Sequence, residues 1–221
     1  MNKSNKIKKF IVLGVLFLLP ITVYVFFASG VNNFSKLPVL THSVEELINF
    51  KTLDGSTVRF KDKITVLGFF GINPNGKNAN AYNLTHKVYQ KNHGFADFQF
   101  VILLPDGSQS QAVTLKNSLD DITNTEKWKF AFGSIEAIEE VYSSLQSNLT
   151  LESDYSTPYV FIIDKDRNLR GRDDDEDVGL LYGFDARDVA EINNKMSDDI
   201  KVILAEYRLA LKKYMKEKRE I

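Results

Sequence analysis

The chain has 221 residues, 43% of them hydrophobic and 26% charged, and a net charge of −1. That length and balance suit one globular domain plus an additional segment. It contains no cysteine, which excludes disulfides, thiolate catalysis, dithiol exchange and thiolate metal sites. The near-neutral total hides an asymmetry. Residues 1–30 hold four lysines and no acid, so the rest of the chain stands at −5. A mildly acidic domain argues against nucleic acid as a partner.

In chain order, residues 1–9 form a short basic segment containing Lys3, Lys6, Lys8 and Lys9. Residues 10–28, FIVLGVLFLLPITVYVFFA, carry no charge. Nineteen residues at 1.5 Å each approach the ~30 Å hydrocarbon core of a bilayer, which predicts a transmembrane helix. Pro20 within it is tolerated in membrane helices. Lysines before the span and none just after it predict a cytoplasmic N-terminus and a domain on the periplasmic side. The expectation is a signal-anchor in the inner membrane. A cleaved signal peptide is the alternative, for which FFASG supplies only a poor site.

Residues 29–43 read as a tether, and residues 44–221 as the folded domain. Residues 48–60 alternate Phe50, Thr52, Val58 and Phe60 around Asp54-Gly55, a hairpin pattern. ITVLGFF, residues 64–70, is a continuous apolar run and hence a strand buried on both faces. After Pro74, Ala81, Leu84 and Val88 have helical spacing. FQFVILL, residues 98–104, is a second buried strand. Residues 110–122 form a short helix with Val113, Leu115 and Leu119 inward. Residues 134–145 form a clearer one, capped by Ser134. Residues 159–163 make a third buried strand, with 169–172 as its short partner. Residues 173–177, DDDED, read as a charged loop. The last helix is predicted to start at a Ser197 cap and to bury Ile200, Ile203, Leu204, Tyr207 and Leu211. This order is α/β with a mixed sheet.

A buried strand, a Pro-containing loop into a helix, and a later Thr157-Pro158 opening a central strand resemble the thioredoxin arrangement. The family's cis-proline would fall on Pro158. An ordered set then resembles the Sco/SenC family: Leu37-Pro38, Asp54-Gly55, Phe69-Phe70, Pro74, the run WKFAFG at 128–133, and YVFIID at 159–164. The ending YGFDARDVAEINNKMSDDIKVILAEYRLALKK resembles Sco-like proteins of the Bacteroidetes group. The resemblance spans residues 37–213. It implies a membrane-anchored thioredoxin-like fold, a central mixed sheet flanked by helices with an N-terminal hairpin, of the kind linked to copper delivery for cytochrome oxidase.

The resemblance also places the family's ligands. The first thiolate falls on Asn73, before Pro74, the second on Lys77, and the histidine near Ser156, before Thr157 and Pro158. Copper(I) prefers soft thiolates, which neutral Asn73 and cationic Lys77 do not supply. No catalytic residue, metal ligand or cofactor is therefore expected. Asn73, Pro74, Lys77, Ser156, Thr157 and Pro158 mark a degenerate site, and the implied role is that of an interaction partner in respiratory-chain assembly. Two alternatives remain. Asn73 and Lys77 lie where a helix N-terminus attracts a small anion, against the plainer possibility that Asn73 caps and Lys77 is solvated. Residues 173–177 with a histidine offer carboxylate oxygens to a hard cation, although His42, His86 and His93 show no metal-ligand spacing.

Overall fold

The computed structural model describes residues 3–29 and 36–217. The chain divides into two compact units, residues 1–35 and 36–221. In the first, α1 (Lys3–Ser29) contains Pro20, and its stretch Lys8–Phe26 is long and apolar enough to cross a membrane. Residues 30–35 of the expected tether lie outside the described residues. Its remainder belongs to the second unit: β1 (Val39–Thr41) pairs with β7 (Leu169–Arg170), and Leu37 is buried. The folded unit thus starts several residues before position 44.

The second unit is built on one mixed sheet in the order β1-β7-β6-β3-β4-β5-β2, in which β2 is the short edge strand Lys51–Thr52 and β10 (Phe184–Asp185) also lies on β6. Strand β3 (Ile64–Phe70) runs parallel to β4 (Phe98–Pro105), and β4 parallel to β5 (Trp128–Gly133). Strand β6 (Ser156–Ile163) is antiparallel to β3. Every residue of β3 and β4 is buried, as expected of strands covered on both faces.

Period-two alternation divides the core. Ile64, Val66, Phe70, Phe100, Ile102, Trp128, Phe130 and Ile162 lie in one cluster, with Ala81, Leu84, Leu115 and Ile200 from three helices. Those helices are α2 (Asn78–Leu84), α4 (Gln109–Asp120) and α7 (Ser197–Glu217). Leu67, Phe69, Val101, Leu103, Phe161 and Ile163 face the other cluster. There α5 (Ile135–Ser144) is joined by Val44, Leu47, Phe50, Val58 and Phe60, so an irregular segment covers what a second helix otherwise would. Both clusters draw only on residues after position 36. The second unit therefore has a complete core and meets the condition for folding by itself.

Several sequence expectations are corrected. WKFAFG, which the sequence reading left without an element, is a strand between β4 and β2. The hairpin at 48–60 is short, with one bridge, Lys51–Thr57, and the Thr52 N–H donating to the Ser56 carbonyl at 3.0 Å, and β2 (Lys51–Thr52) also pairs with β5. Val113 is 43% exposed, because Ala112, Leu115 and Leu119 carry the inward face of α4. Leu211 is 65% exposed, because the core under α7 ends near Leu204. The final helical stretch begins earlier than Ser197, at α6 (Val189–Glu191), where the Asp188 carboxylate accepts from the Ala190 and Glu191 N–H groups. A π-helical turn (Ile192–Met196) joins α6 to α7. The acidic run is no open loop. Strand β8 (Arg172–Asp175) pairs with β9 (Gly179–Leu181), and Asp175 is buried.

Candidate functional site

The loop after β3 leaves the sheet at the carboxyl end of a parallel strand, the usual place for a site in an α/β sheet. Gly71 has φ +69°, and a Cβ there would lie 2.4 Å from the Asp154 carbonyl oxygen and 2.9 Å from Ser156 Cβ. Only glycine lets this turn pass so close to the start of β6. The Ile72 N–H donates to the Asp154 carbonyl at 3.1 Å, fastening the loop to the 152–156 segment. Pro74 then opens a 3₁₀ turn (Pro74–Lys77) that leads into α2.

Lys77 and Ser156 converge on a residue the sequence reading passed over. The Lys77 ammonium lies 3.4 Å from Glu152 Oε2, and the Ser156 hydroxyl lies 3.2 Å from the same oxygen. Ser156 Oγ is also 2.6 Å from Asp154 Oδ1, which accepts the Ser156 N–H at 3.0 Å. A hydroxyl has one proton to give, and the shorter contact assigns it to Asp154. Ser156 and Thr157 are buried. Asn73 is exposed and makes no side-chain cap bond, so the expected Asn73 cap is absent. Among the described residues no peptide bond is cis, so Thr157–Pro158 is trans. The Pro158 carbonyl accepts from the Ala186 N–H at 2.9 Å.

The positions of the second thiolate and the histidine, as the resemblance placed them, thus meet around one carboxylate oxygen, while the Asn73 side chain stays apart. Between Lys77 and Ser156 lies an internal ammonium–carboxylate pair. That arrangement supplies no soft donor. Nor does it pair the Ser156 hydroxyl with a histidine base. The Glu152 carboxylate also competes with any external anion for Lys77, against the small-anion alternative. Glu152 left no local signature in sequence. Asp154 did leave one, since Asp two residues before Ser is the pattern of a side chain bonding its own backbone.

The acidic run is committed elsewhere. Asp175 and Asp177 each lie 2.7 Å from the Lys195 ammonium, and Arg172 reaches Asp199 at 2.8 Å. Burial opposes ionisation of Asp175, but Lys195 together with the Asp177 and Val178 N–H groups outweighs it and holds the carboxyl below its ordinary value. Burial raises Asp199 despite Arg172. His42 bonds Asn168, His93 stacks on Tyr89, and His86 is exposed. Among the described residues no three His, Asp or Glu side chains form a potential metal group. The carboxylate alternative therefore has no constellation to rest on.

No family model matches the chain, and no curated protein matches its sequence. Solved structures do. One is BsSco, described with a disulfide switch as a member of the Sco family of cytochrome c oxidase assembly proteins. It has TM-score 0.55 and 14% identity, over 76% of this chain and 98% of that one. A candidate electron transport protein from Aquifex aeolicus VF5 has TM-score 0.54 and 11% identity, over 75% and 98%. A candidate protein disulfide isomerase from Bacteroides thetaiotaomicron has TM-score 0.50 and 13% identity, over 77% and 95%. These similarities show the thioredoxin-like fold.

Proposed function

We propose that this chain is a membrane-anchored thioredoxin-fold partner protein of cytochrome oxidase or respiratory-chain assembly, and that it neither binds copper nor exchanges thiols. The observation that carries the proposal is the Lys77–Glu152–Ser156 contact, an internal ion pair in the place of the donors. Fold likeness to an oxidase assembly protein supplies the process, with the usual separation between fold and function. The apolar helix would hold the chain in the inner membrane, and the lysines before it would keep the N-terminus cytoplasmic and the domain periplasmic.

Titrating residues 36–221 with Cu(I) and Cu(II) tests the first half. The expected result is no site tighter than micromolar, and sub-micromolar binding overturns the reading. Deleting the gene tests the second half. Cytochrome oxidase activity should fall, and both the full chain and its Lys77→Ala variant should restore it. An unchanged oxidase level in the deletion strain would remove the assembly role.

A further inference from the structure

A groove of about 290 Å³ opens at the other end of β3, between α7 and the segment before β4. That volume is near the lower end of the ~300–1,000 Å³ range of small-molecule sites. A seven-residue strand separates it from the candidate site, about 20 Å at ~3.3 Å per residue. Its floor is apolar and built of core side chains, Ile64, Phe98 and Leu204. Its lips are apolar as well, and wet: Phe95 is 42% exposed and Leu211 65% exposed. Two large side chains held in water beside an apolar trough form a surface that gains by being covered.

The charges at the mouth say what would cover it. Lys165 lies 2.5 Å from Asp97 Oδ2 and 5.4 Å from the centre of the Tyr207 ring. The Lys165 hydrogen bond, ahead of burial, holds the Asp97 carboxyl below its ordinary value, and Lys63 reaches the other Asp97 oxygen at 3.8 Å, so Asp97 is fully committed to lysines. Arg208 lines the same mouth and has no ion pair among the described residues. The groove lining, Asp97, Lys165 and Arg208, thus carries a net charge of +1 above an apolar trough. Burial and the nearby Asp164 and Asp166 raise the Tyr207 phenol, which therefore stays a neutral donor.

We propose that this groove binds a single-chain amphiphilic carboxylate of fatty-acid type, with the alkyl chain along Ile64, Phe98 and Leu204 and the carboxylate at Arg208. A monoanion matches the rim charge, and an alkyl chain matches both the volume and the apolar floor. A planar guanidinium also binds a carboxylate through two parallel hydrogen bonds. The site uses no residue of the Lys77–Glu152–Ser156 contact, so it stands or falls separately from the function proposed above.

Dodecanoate labelled with ¹³C at the carboxyl carbon tests it, by calorimetry and NMR on residues 36–221. Saturable one-to-one binding is expected, with a shift of the labelled carbon. Octanoate should bind far more weakly, since each buried methylene is worth about fourfold. Dodecanol, with the same chain and no charge, should bind roughly tenfold more weakly, as should Arg208→Gln toward dodecanoate. Leu211→Asp, at an exposed position outside the core, should abolish binding while the circular dichroism spectrum stays unchanged. The proposal is overturned by an absence of saturable binding, by equal affinity for dodecanol, or by indifference to both substitutions. It is equally overturned if the chain binds only to vesicles of anionic lipid and not to the dispersed carboxylate.

Discussion

Arg170 is the buried charge on which most of the surrounding chain depends. Its Nη1 lies 3.0 Å from Asp164 Oδ2, its Nη2 lies 2.7 Å from Glu206 Oε2, and its Nε donates to the Leu37 carbonyl at 2.8 Å. One guanidinium thereby joins β7, the turn after β6, α7 and the N-terminal entry to the domain. Arg170→Ala leaves the buried Asp164 carboxylate without its counter-charge, and such breaks cost about 3–5 kcal/mol. A urea midpoint close to that of the parent chain would refute this. Lys77 sits in a different regime. Its contact with Glu152 is longer, and Glu152 is largely exposed, so water and salt screen the pair. Lys77→Ala should cost less than about 1 kcal/mol. Re-creating the missing donors is the sharper test of the site. The triple variant Asn73→Cys, Lys77→Cys, Ser156→His should acquire a Cu(I) site that the parent chain lacks, because soft thiolates are what that metal selects. If the triple variant folds and still ignores Cu(I), these three positions do not form the site that the resemblance assigns.

At the scale of elements, the junction of β3 with its loop is the least forgiving. Gly71→Ala puts a side chain into the left-handed region, at about 1–2 kcal/mol, and drives its Cβ against backbone of the 154–156 segment. The expected loss is at least about 2 kcal/mol, with faster amide exchange at Ile72, whose N–H bonds Asp154. Protection at Ile72 equal to the parent would show that the two segments are not coupled through this turn. The long apolar strands were legible in sequence because continuous runs such as ITVLGFF have few other places to go. Strand β5 was less so, because Lys129 breaks the continuous apolar run that marks β3 and β4. The start of the final helix was misread for a local reason. Ser197 precedes an acidic turn and mimics a cap, while Asp188 with Glu191 forms the true start. Helix start signals of this kind compete, and packing of Ile192 and Met196 into the core decides between them.

For the whole molecule, the paired carboxylates set the response to acid. Asp97 lies below its ordinary 3.8 chiefly through its hydrogen bond with Lys165. Burial opposes ionisation of Asp120, Asp175 and Asp185, but Lys116, Lys195 and Arg187 overcome it and lower all three. A lowered folded value means stability that is present above the unfolded pKa and lost as pH falls through the folded one. Glu191 and Asp199 are raised, mainly by burial, and run the opposite way. Hydrogen bonds lower Asp54 and Glu136 as well, and six groups against two give a net decline below about pH 4. Urea midpoints from pH 6 to pH 3 should fall, and Lys195→Met should make that fall shallower by releasing Asp175. A limb unchanged in Lys195→Met would remove Asp175 from the account. The two units predict a second behaviour. Residues 36–221 should remain folded and soluble without α1, while the full chain should sediment with membranes and resist carbonate extraction.

The amino-acid sequence by itself determined the absence of thiol chemistry, the apolar segment, the buried central strands and the identity of the residues at Asn73, Lys77 and Ser156. These follow from composition and short-range periodicity, which depend only on neighbours along the chain. Tertiary structure alone decided that Glu152 stands between Lys77 and Ser156, that Lys195 occupies the acidic run, and that α7 and the segment before β4 enclose a groove. Each joins residues distant in sequence. Lys77 and Glu152 are 75 positions apart, and the pairing of β3 with β6, with the Ile72–Asp154 bond beyond it, brings their segments together.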